Sequence, residues 1–133
     1  MADAPQFITI SKLDAARRQL ETAILLYFHE GDPVSIHTLA CAAHEVIRDF
    51  NKATGGKRTM TEEIEDLIKP QMLREYRSTL KKAQNFFKHH RKGQERDTVD
   101  LVPHYTQVII LDACYTYRRL TRERLAILAT FEN

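Results

Sequence analysis

The sequence is poor in cysteine, and this scarcity argues against a fold held together by disulfides. Its two cysteines, Cys41 and Cys114, each lie inside an apolar helical pattern without a close partner. Such spacing suits a reducing compartment better than a disulfide scaffold, so we predict two free thiols. Long apolar runs are also missing: none approaches the roughly 18 residues that a membrane span needs. We therefore expect no membrane association.

A secretory pattern is missing as well. The first ten residues, MADAPQFITI, contain an acid and no basic segment ahead of a short apolar patch. A secretory signal would begin with a basic segment and continue into a longer apolar one. Taken together with the reduced cysteines, this predicts a cytoplasmic protein.

The chain has little net charge, which excludes a strongly nucleic-acid-coated protein. Its formal net charge is +2, and 43% hydrophobic with 29% charged residues is typical of a globular domain and not of a disordered chain. The charge is unevenly distributed, however. Residues 81–96 contain six Lys or Arg and one acid, whereas residues 62–75 contain five acids and two bases. This pattern predicts one positive end of the molecule.

Glycine and proline are few, and they fall between stretches of helical periodicity. All four glycines and three of the four prolines lie at such boundaries. The pattern predicts long helices at about 11–30, 33–52, 70–90 and 103–120, a short acidic helix ending near residue 68, and a terminal helix capped by Thr121. No strand-like alternation and no internal repeat is present. We predict an all-α fold, a four-helix bundle with short additional helices, in which residues 1–133 form a single domain.

The apolar stripes of these helices predict the core, since residues that recur at the helical period share one face. The predicted core consists of Leu13, Ala16, Leu20, Ala23, Ile24 and Tyr27 in the first helix, Ile36, Leu39, Ala40, Ala43, Ile47 and Phe50 in the second, Leu73, Tyr76, Leu80, Ala83 and Phe87 in the third long helix, and Val108, Leu111 and Tyr115 in the fourth.

The segment QNFFKHH, residues 84–90, is the densest group of chemically active side chains. Asn85 and His89 are four residues apart and share a helix face, which lies opposite the core stripe. They should therefore point into solvent. Phe86 also lies off the stripe, and an exposed aromatic beside a basic cluster needs a cover. A partner subunit or a nucleic acid would supply that cover.

The run Gln84-Asn85-Phe86-Phe87-Lys88-His89 resembles the Arg-Asn-three-residues-His signature of HEPN domains. These are compact helical bundles of prokaryotic defence and toxin systems, and many are dimeric, metal-independent RNases. In that family the motif lies near the end of a helix, ahead of the last long helix, and two copies face each other across the dimer groove. The position of the motif in this chain is similar. The resemblance implies a homodimer that acts on RNA without a cofactor.

The resemblance also implies roles for individual residues. His89 would transfer a proton to or from a ribose 2′-hydroxyl or a leaving oxygen, because a histidine titrates near neutral pH. Asn85 would hold the imidazole or a phosphate oxygen, and Lys88 with Arg91 would offset charge in the transition state. Asn85, Lys88 and His89 are thus the candidate catalytic residues. Gln84, Phe86 and Arg91 are candidate binding residues beside them.

One position departs from the HEPN signature. Gln84 occupies the place of the family's arginine. Its amide lacks the positive charge and the paired N–H donors with which a guanidinium binds a phosphate. A non-catalytic helical interaction module, such as the partner of a nucleotidyltransferase or another defence component, therefore stays open as the alternative. The partner is then a protein instead of RNA.

A second group of polar side chains follows the second predicted helix. His37 and His44 are candidate binding residues there, and a bundle that binds a metal or a small ligand is a third, more remote alternative. Because no Glu-x-x-His pair of the di-iron type is present, we favour histidines that hydrogen-bond across helices. Asp112 is the expected partner, either of a histidine or of Tyr27. The stripe is formed by His37, Cys41, His44 and Arg48.

Overall fold

The protein was analysed as a computed structural model that describes Ala4 and residues 6–122. This part of the chain contains five α-helices and no strand, so the predicted all-α class is confirmed. Four helices are long and one is short, as expected. None of the described helices is long and apolar enough to cross a membrane. The helices are α1 Lys12–Phe28, α2 Pro33–Ala53, α3 Met60–Glu65, α4 Pro70–Lys88 and α5 Pro103–Thr121.

The helices begin where their capping residues predict. Ser11, Asp32 and Thr59 each accept a hydrogen bond from the backbone N–H three residues further on, at 3.1, 2.9 and 3.3 Å. Each side chain thereby satisfies a donor that has no partner inside the helix. The other two helices begin at prolines, Pro70 and Pro103, whose missing N–H is no loss in the first turn. Local chemistry thus accounts for every helix start.

The core lies where α1, α2 and α5 pack together. The predicted stripes of α1 and α2 are confirmed, except that Phe50 is 40% exposed at the far end of α2. Alanines on α1, α2 and α5 allow these helices to approach closely. The buried hydrophobic core consists of Ala16, Leu20, Ala23, Ile24, Ile36, Ala40, Ala43, Ile47, Ile110, Ala113, Cys114 and Tyr117.

The predicted core face of α5 is wrong. Val108 and Leu111 are only half-buried, and Tyr115 is 43% exposed. The middle of α5 is apolar on most sides, so its periodicity does not select a face. The buried face instead includes polar residues that the apolar pattern could not identify. The buried residues of α5 are Thr106, Ile110, Asp112, Ala113, Cys114, Thr116 and Tyr117.

Helix α4 lies against α2 at the edge of the core. Of its predicted stripe only Ala83 is buried, and the larger side chains, such as Leu80 and Phe87, are half-buried. The helix ends at Lys88, two residues earlier than expected, because His89 adopts an extended conformation (φ −126°, ψ 138°). Next to α2, one side of α4 therefore remains exposed to solvent.

The residue predicted to cap a terminal helix, Thr121, lies where α5 ends. Thr121 is the last residue of α5, and its hydroxyl donates to the carbonyl oxygen of Tyr117 at 2.8 Å. Threonine often makes this bond to the carbonyl four residues earlier when it lies inside a helix. Arg122 then leaves the helix with a left-handed backbone (φ 58°). The rest of the predicted terminal helix lies outside the described residues.

The two adjacent glycines that follow α2 lie in different surroundings. Alanine substitutions at the two positions should therefore lower the stability by different amounts. A Cβ on Gly56 would collide with the side-chain oxygen of Asn51, a buried residue whose amide donates to the Lys57 carbonyl at 2.7 Å. We expect Gly56→Ala to lower the free energy of unfolding by ~3 kcal/mol, because it adds steric overlap and breaks a buried hydrogen bond. Gly55 has a positive φ of 71° but open space around it.

Gly55→Ala is the matched control, and it should cost only about 1–2 kcal/mol of backbone strain. Urea denaturation of both variants measures the difference. Equal losses would show that the Asn51 contact does not constrain this turn.

Candidate functional site

The end of α4 presents the predicted catalytic side chains to solvent. Asn85, Lys88, His89 and Arg91 are all exposed, and none of these side chains forms a hydrogen bond or ion pair with another described residue. The prediction that Asn85 and His89 face away from the core is therefore confirmed. Although His89 has left the helix, its backbone N–H donates to the Asn85 carbonyl at 3.1 Å. This bond keeps the two residues one turn apart.

Gln84 and Phe86 are not part of this exposed group. Gln84 is half-buried, and its amide donates to a carboxylate oxygen of Glu45 on α2 at 3.3 Å. Phe86 is half-buried instead of exposed, because it packs edge-to-face against Phe87 with ring centroids 6.3 Å apart. The end of α4 thus has one side that faces α2 and one that faces solvent.

His37 is a packing residue inside the protein. Its Nδ1 lies 2.8 Å from the Thr106 hydroxyl, and its Nε2 lies 3.4 Å from the sulfur of Cys41. The ring also contacts Phe87 edge-to-face, with centroids 6.1 Å apart. Burial lowers the pKa of His37, which favours the neutral imidazole. The favoured interpretation, a histidine that bonds across helices, is confirmed, and His37 is only 1% exposed.

Asp112 is the centre of the largest buried polar network in the described chain. Its carboxylate accepts hydrogen bonds from the Nε2–H of His44 at 2.7 Å, from the Thr61 hydroxyl at 2.8 Å and from the Met60 backbone N–H at 2.9 Å. The predicted pairing of Asp112 with a histidine is confirmed. The other expected partner, Tyr27, accepts a hydrogen bond from the Gln107 amide at 2.6 Å instead.

The network keeps Asp112 ionised although its side chain is almost completely inaccessible. Burial pushes the pKa of Asp112 upward, but the hydrogen bond and charge of His44, together with the Thr61 and Met60 donors, hold that pKa below its ordinary value. The sequence offered no signal for Thr61 and Met60, which lie more than 50 residues before Asp112. One carboxylate therefore joins α2, α3 and α5.

His44 also lines a cleft between α2, α3 and α4. The cleft has a volume of about 640 Å³, and its wall is mostly charged. Two of its arginines are engaged: Arg77 binds both carboxylate oxygens of Glu65 at 2.9 Å, and Arg58 binds Asp66 at 2.9 Å. The sequence could not show this cleft, because its wall combines residues of four helices, including Ile109 of α5. Three further cations line the cleft, and their side chains form no hydrogen bond or ion pair with a described residue: Arg48, Lys52 and Lys81.

The described residues contain no group of three or more His, Cys, Asp or Glu side chains that could hold a metal ion. Cys41 and Cys114 are both buried and form no disulfide, as predicted. Burial raises the pKa of the Cys41 thiol to about 12, with a further contribution from the charge of Glu45. Since the thiolate is the form that binds metals, Cys41 is a poor ligand at neutral pH.

Comparison of the chain with protein-family models, with curated protein sequences and with solved structures finds no match.

Proposed function

We propose that this protein is a HEPN-like domain that binds RNA at the end of α4 and cleaves it with His89. One observation carries the proposal: the side chains of Asn85, Lys88, His89 and Arg91, at the end of α4 and directly after it, are all exposed and unbonded within the described chain. An amide, two cations and an imidazole within seven residues can bind a phosphodiester and transfer a proton.

The charge around this site supports RNA as the ligand. Six Lys or Arg residues lie in the segment 81–96, all are exposed, and none forms an ion pair with a described residue. A phosphate backbone would replace solvent around these unpaired cations and release its own counterions. Binding should therefore be weak and should fall as the salt concentration rises.

The proposed reaction is a transesterification within the RNA. His89 takes the proton of a 2′-hydroxyl, the 2′-oxygen attacks the adjacent phosphorus, and the bond from phosphorus to the 5′-oxygen breaks. The products are a 2′,3′-cyclic phosphate and a 5′-hydroxyl, whose proton comes from His89 of a second copy across the dimer groove. Lys88 and Arg91 offset the negative charge that develops on the phosphate oxygens.

Replacing His89 tests the proposal. His89→Ala should reduce the cleavage of an unstructured, fluorescently labelled RNA at least ~100-fold, which is the usual contribution of a general acid or base. The assay contains EDTA, and the circular dichroism of the variant should be unchanged because His89 is exposed. The matched control is His29→Ala, which removes another exposed histidine at a helix C-terminus, that of α1.

Retained cleavage by His89→Ala, or an equal loss in His29→Ala, would remove His89 from the mechanism. A wild-type protein that binds RNA without cutting it would contradict the nuclease part of the proposal.

A non-catalytic interaction module is the second candidate, and Gln84 favours it. This residue replaces the family's arginine, and its amide already donates to Glu45 instead of facing the exposed group. In that case the wild-type protein neither cuts nor binds the labelled RNA. The same assay therefore separates the two candidates.

A further inference from the structure

The ring of His44 has one nitrogen held by the protein and one that is available to a ligand. Because a carboxylate only accepts hydrogen bonds, the Nε2 that lies 2.7 Å from Asp112 carries the hydrogen. In the neutral ring, Nδ1 is then an acceptor with a free lone pair. No described residue bonds to Nδ1, and His44 lines the cleft between α2, α3 and α4. Asp112 thus fixes the ring so that it offers one acceptor.

The same cleft has cations that make no hydrogen bond or close ion pair with a carboxylate, although the charge of Arg48 adds to the Arg77 hydrogen bond in lowering the pKa of Glu65. Arg48 is half-buried, and its guanidinium has no hydrogen bond or ion pair with a described residue. Lys52 of α2 and Lys81 of α4 also line the cleft, and neither side chain has a hydrogen bond or ion pair with a described residue. A half-buried guanidinium with open donors is well suited to the bidentate recognition of a phosphate.

Carboxylates and apolar side chains complete the wall. Glu45 bonds Gln84 through one oxygen, and Asp49 has no described partner, so both can accept hydrogen bonds from hydroxyl or amino groups. Cys41, Leu80 and Ile109 supply an apolar patch. An inorganic anion would use only the cations. A ligand that combines a phosphate with several hydroxyl groups would use both the cations and the acceptors of this wall.

We propose that the cleft binds a phosphorylated ribose, with its phosphate on Arg48 and Lys81 and a sugar hydroxyl donating to the Nδ1 of His44. The volume of about 640 Å³ is within the range of 300–1,000 Å³ that is usual for small-molecule sites. This site goes beyond the proposed RNA cleavage, because Asn85, Lys88, His89 and Arg91 do not line the cleft.

Titration with ribose 5-phosphate tests the proposal, monitored by nuclear magnetic resonance in the absence of RNA. We expect saturable shifts of the amides that line the cleft. In the wild-type protein, the ¹⁵N signal of the His44 Nδ1 should move more than that of Nε2. Ribose alone and inorganic phosphate alone should each bind at least about tenfold more weakly, since each lacks one set of charge-assisted or polar contacts.

Two neighbouring lysines provide a matched pair for this experiment. Lys81 lines the cleft and Lys82 does not, although both are exposed on α4. Lys81→Gln and Arg48→Gln should each weaken binding about tenfold, which corresponds to one lost charge-assisted contact, and Lys82→Gln should change it less than about twofold. Equal effects of Lys81→Gln and Lys82→Gln would overturn the proposal, as would a lack of saturation at millimolar ligand.

A phosphorylated ribose also occurs at the end of an RNA chain. A further experiment distinguishes this RNA end from a free sugar phosphate as the ligand. A short RNA that carries a 5′-phosphate is compared with the same RNA that carries a 5′-hydroxyl. If the free sugar phosphate saturates the cleft and the 5′-phosphate adds nothing to RNA binding, the ligand is the free molecule. If only the phosphorylated RNA produces the cleft shifts, the free small molecule is excluded as the ligand.

Discussion

Replacing Asp112 by alanine is expected to lower the free energy of unfolding by about 3–5 kcal/mol, because each buried donor left without its acceptor costs about 1–3 kcal/mol. The carboxylate is buried and accepts three hydrogen bonds, so its removal leaves His44, Thr61 and the Met60 N–H without their acceptor. Urea denaturation followed by circular dichroism measures the loss. Asp49→Ala is the matched control, because Asp49 is an exposed helical aspartate without a described hydrogen bond.

The control should change the free energy of unfolding by less than about 0.5 kcal/mol, as is usual for a surface substitution. A loss in Asp112→Ala that is no larger than in the control would show that the network does not hold α2, α3 and α5 together.

The same residue predicts how stability depends on pH. The pKa of Asp112 in the folded protein is below its ordinary value, so the ionised carboxylate stabilises the native state. This contribution is fully present above the ordinary aspartate pKa of about 4 and is lost as the pH falls below it. Asp112→Asn preserves the shape but cannot ionise, and the difference in stability between wild type and variant should shrink on acidification. A difference that stays constant between pH 7 and pH 3 would contradict this assignment.

The second large effect is expected in the core between α1, α2 and α5. Ile24 is completely buried and Leu25, its neighbour in the chain, is 48% exposed. Ile24→Ala should lower the free energy of unfolding by about 2–5 kcal/mol, because it removes three buried carbons and leaves a cavity. Leu25→Ala should cost less than about 1 kcal/mol, since much of the side chain already contacts water.

Thermal and urea denaturation of both α1 variants check this expectation. If Leu25→Ala substantially lowers the free energy of unfolding, another surface covers Leu25 in solution. A loss that depends on the protein concentration would identify that surface as a second copy of the chain. Similar small losses in both variants would show that α1 is loosely packed.

The two large stability effects concern residues away from the exposed end of α4. Asn85, Lys88 and His89 are exposed, and their side chains form no described hydrogen bond. Variants at these positions should therefore fold normally, so any loss of cleavage can be assigned to chemistry. This separation makes the α4 site suitable for direct tests.

The candidate site was predictable from the sequence only in part. The outward orientation of Asn85 and His89 follows from their position opposite the apolar stripe of the same helix, which requires no knowledge of other helices. The half-burial of Phe86 depends on how Phe87 packs against His37 of α2, and the cleft depends on the placement of four helices. Neither is encoded in the spacing of one segment.

The sequence by itself determined where the helices begin and which faces of α1 and α2 are buried. Capping bonds join residues three apart, and an apolar stripe repeats within one helix, so both can be read locally. Only the tertiary structure decided the buried face of α5 and which histidine, hydroxyl and backbone N–H donate to Asp112, because those contacts join residues about 50 to 70 positions apart. Such contacts depend on how the helices pack, and packing is a property of the assembled core and not of any segment within it.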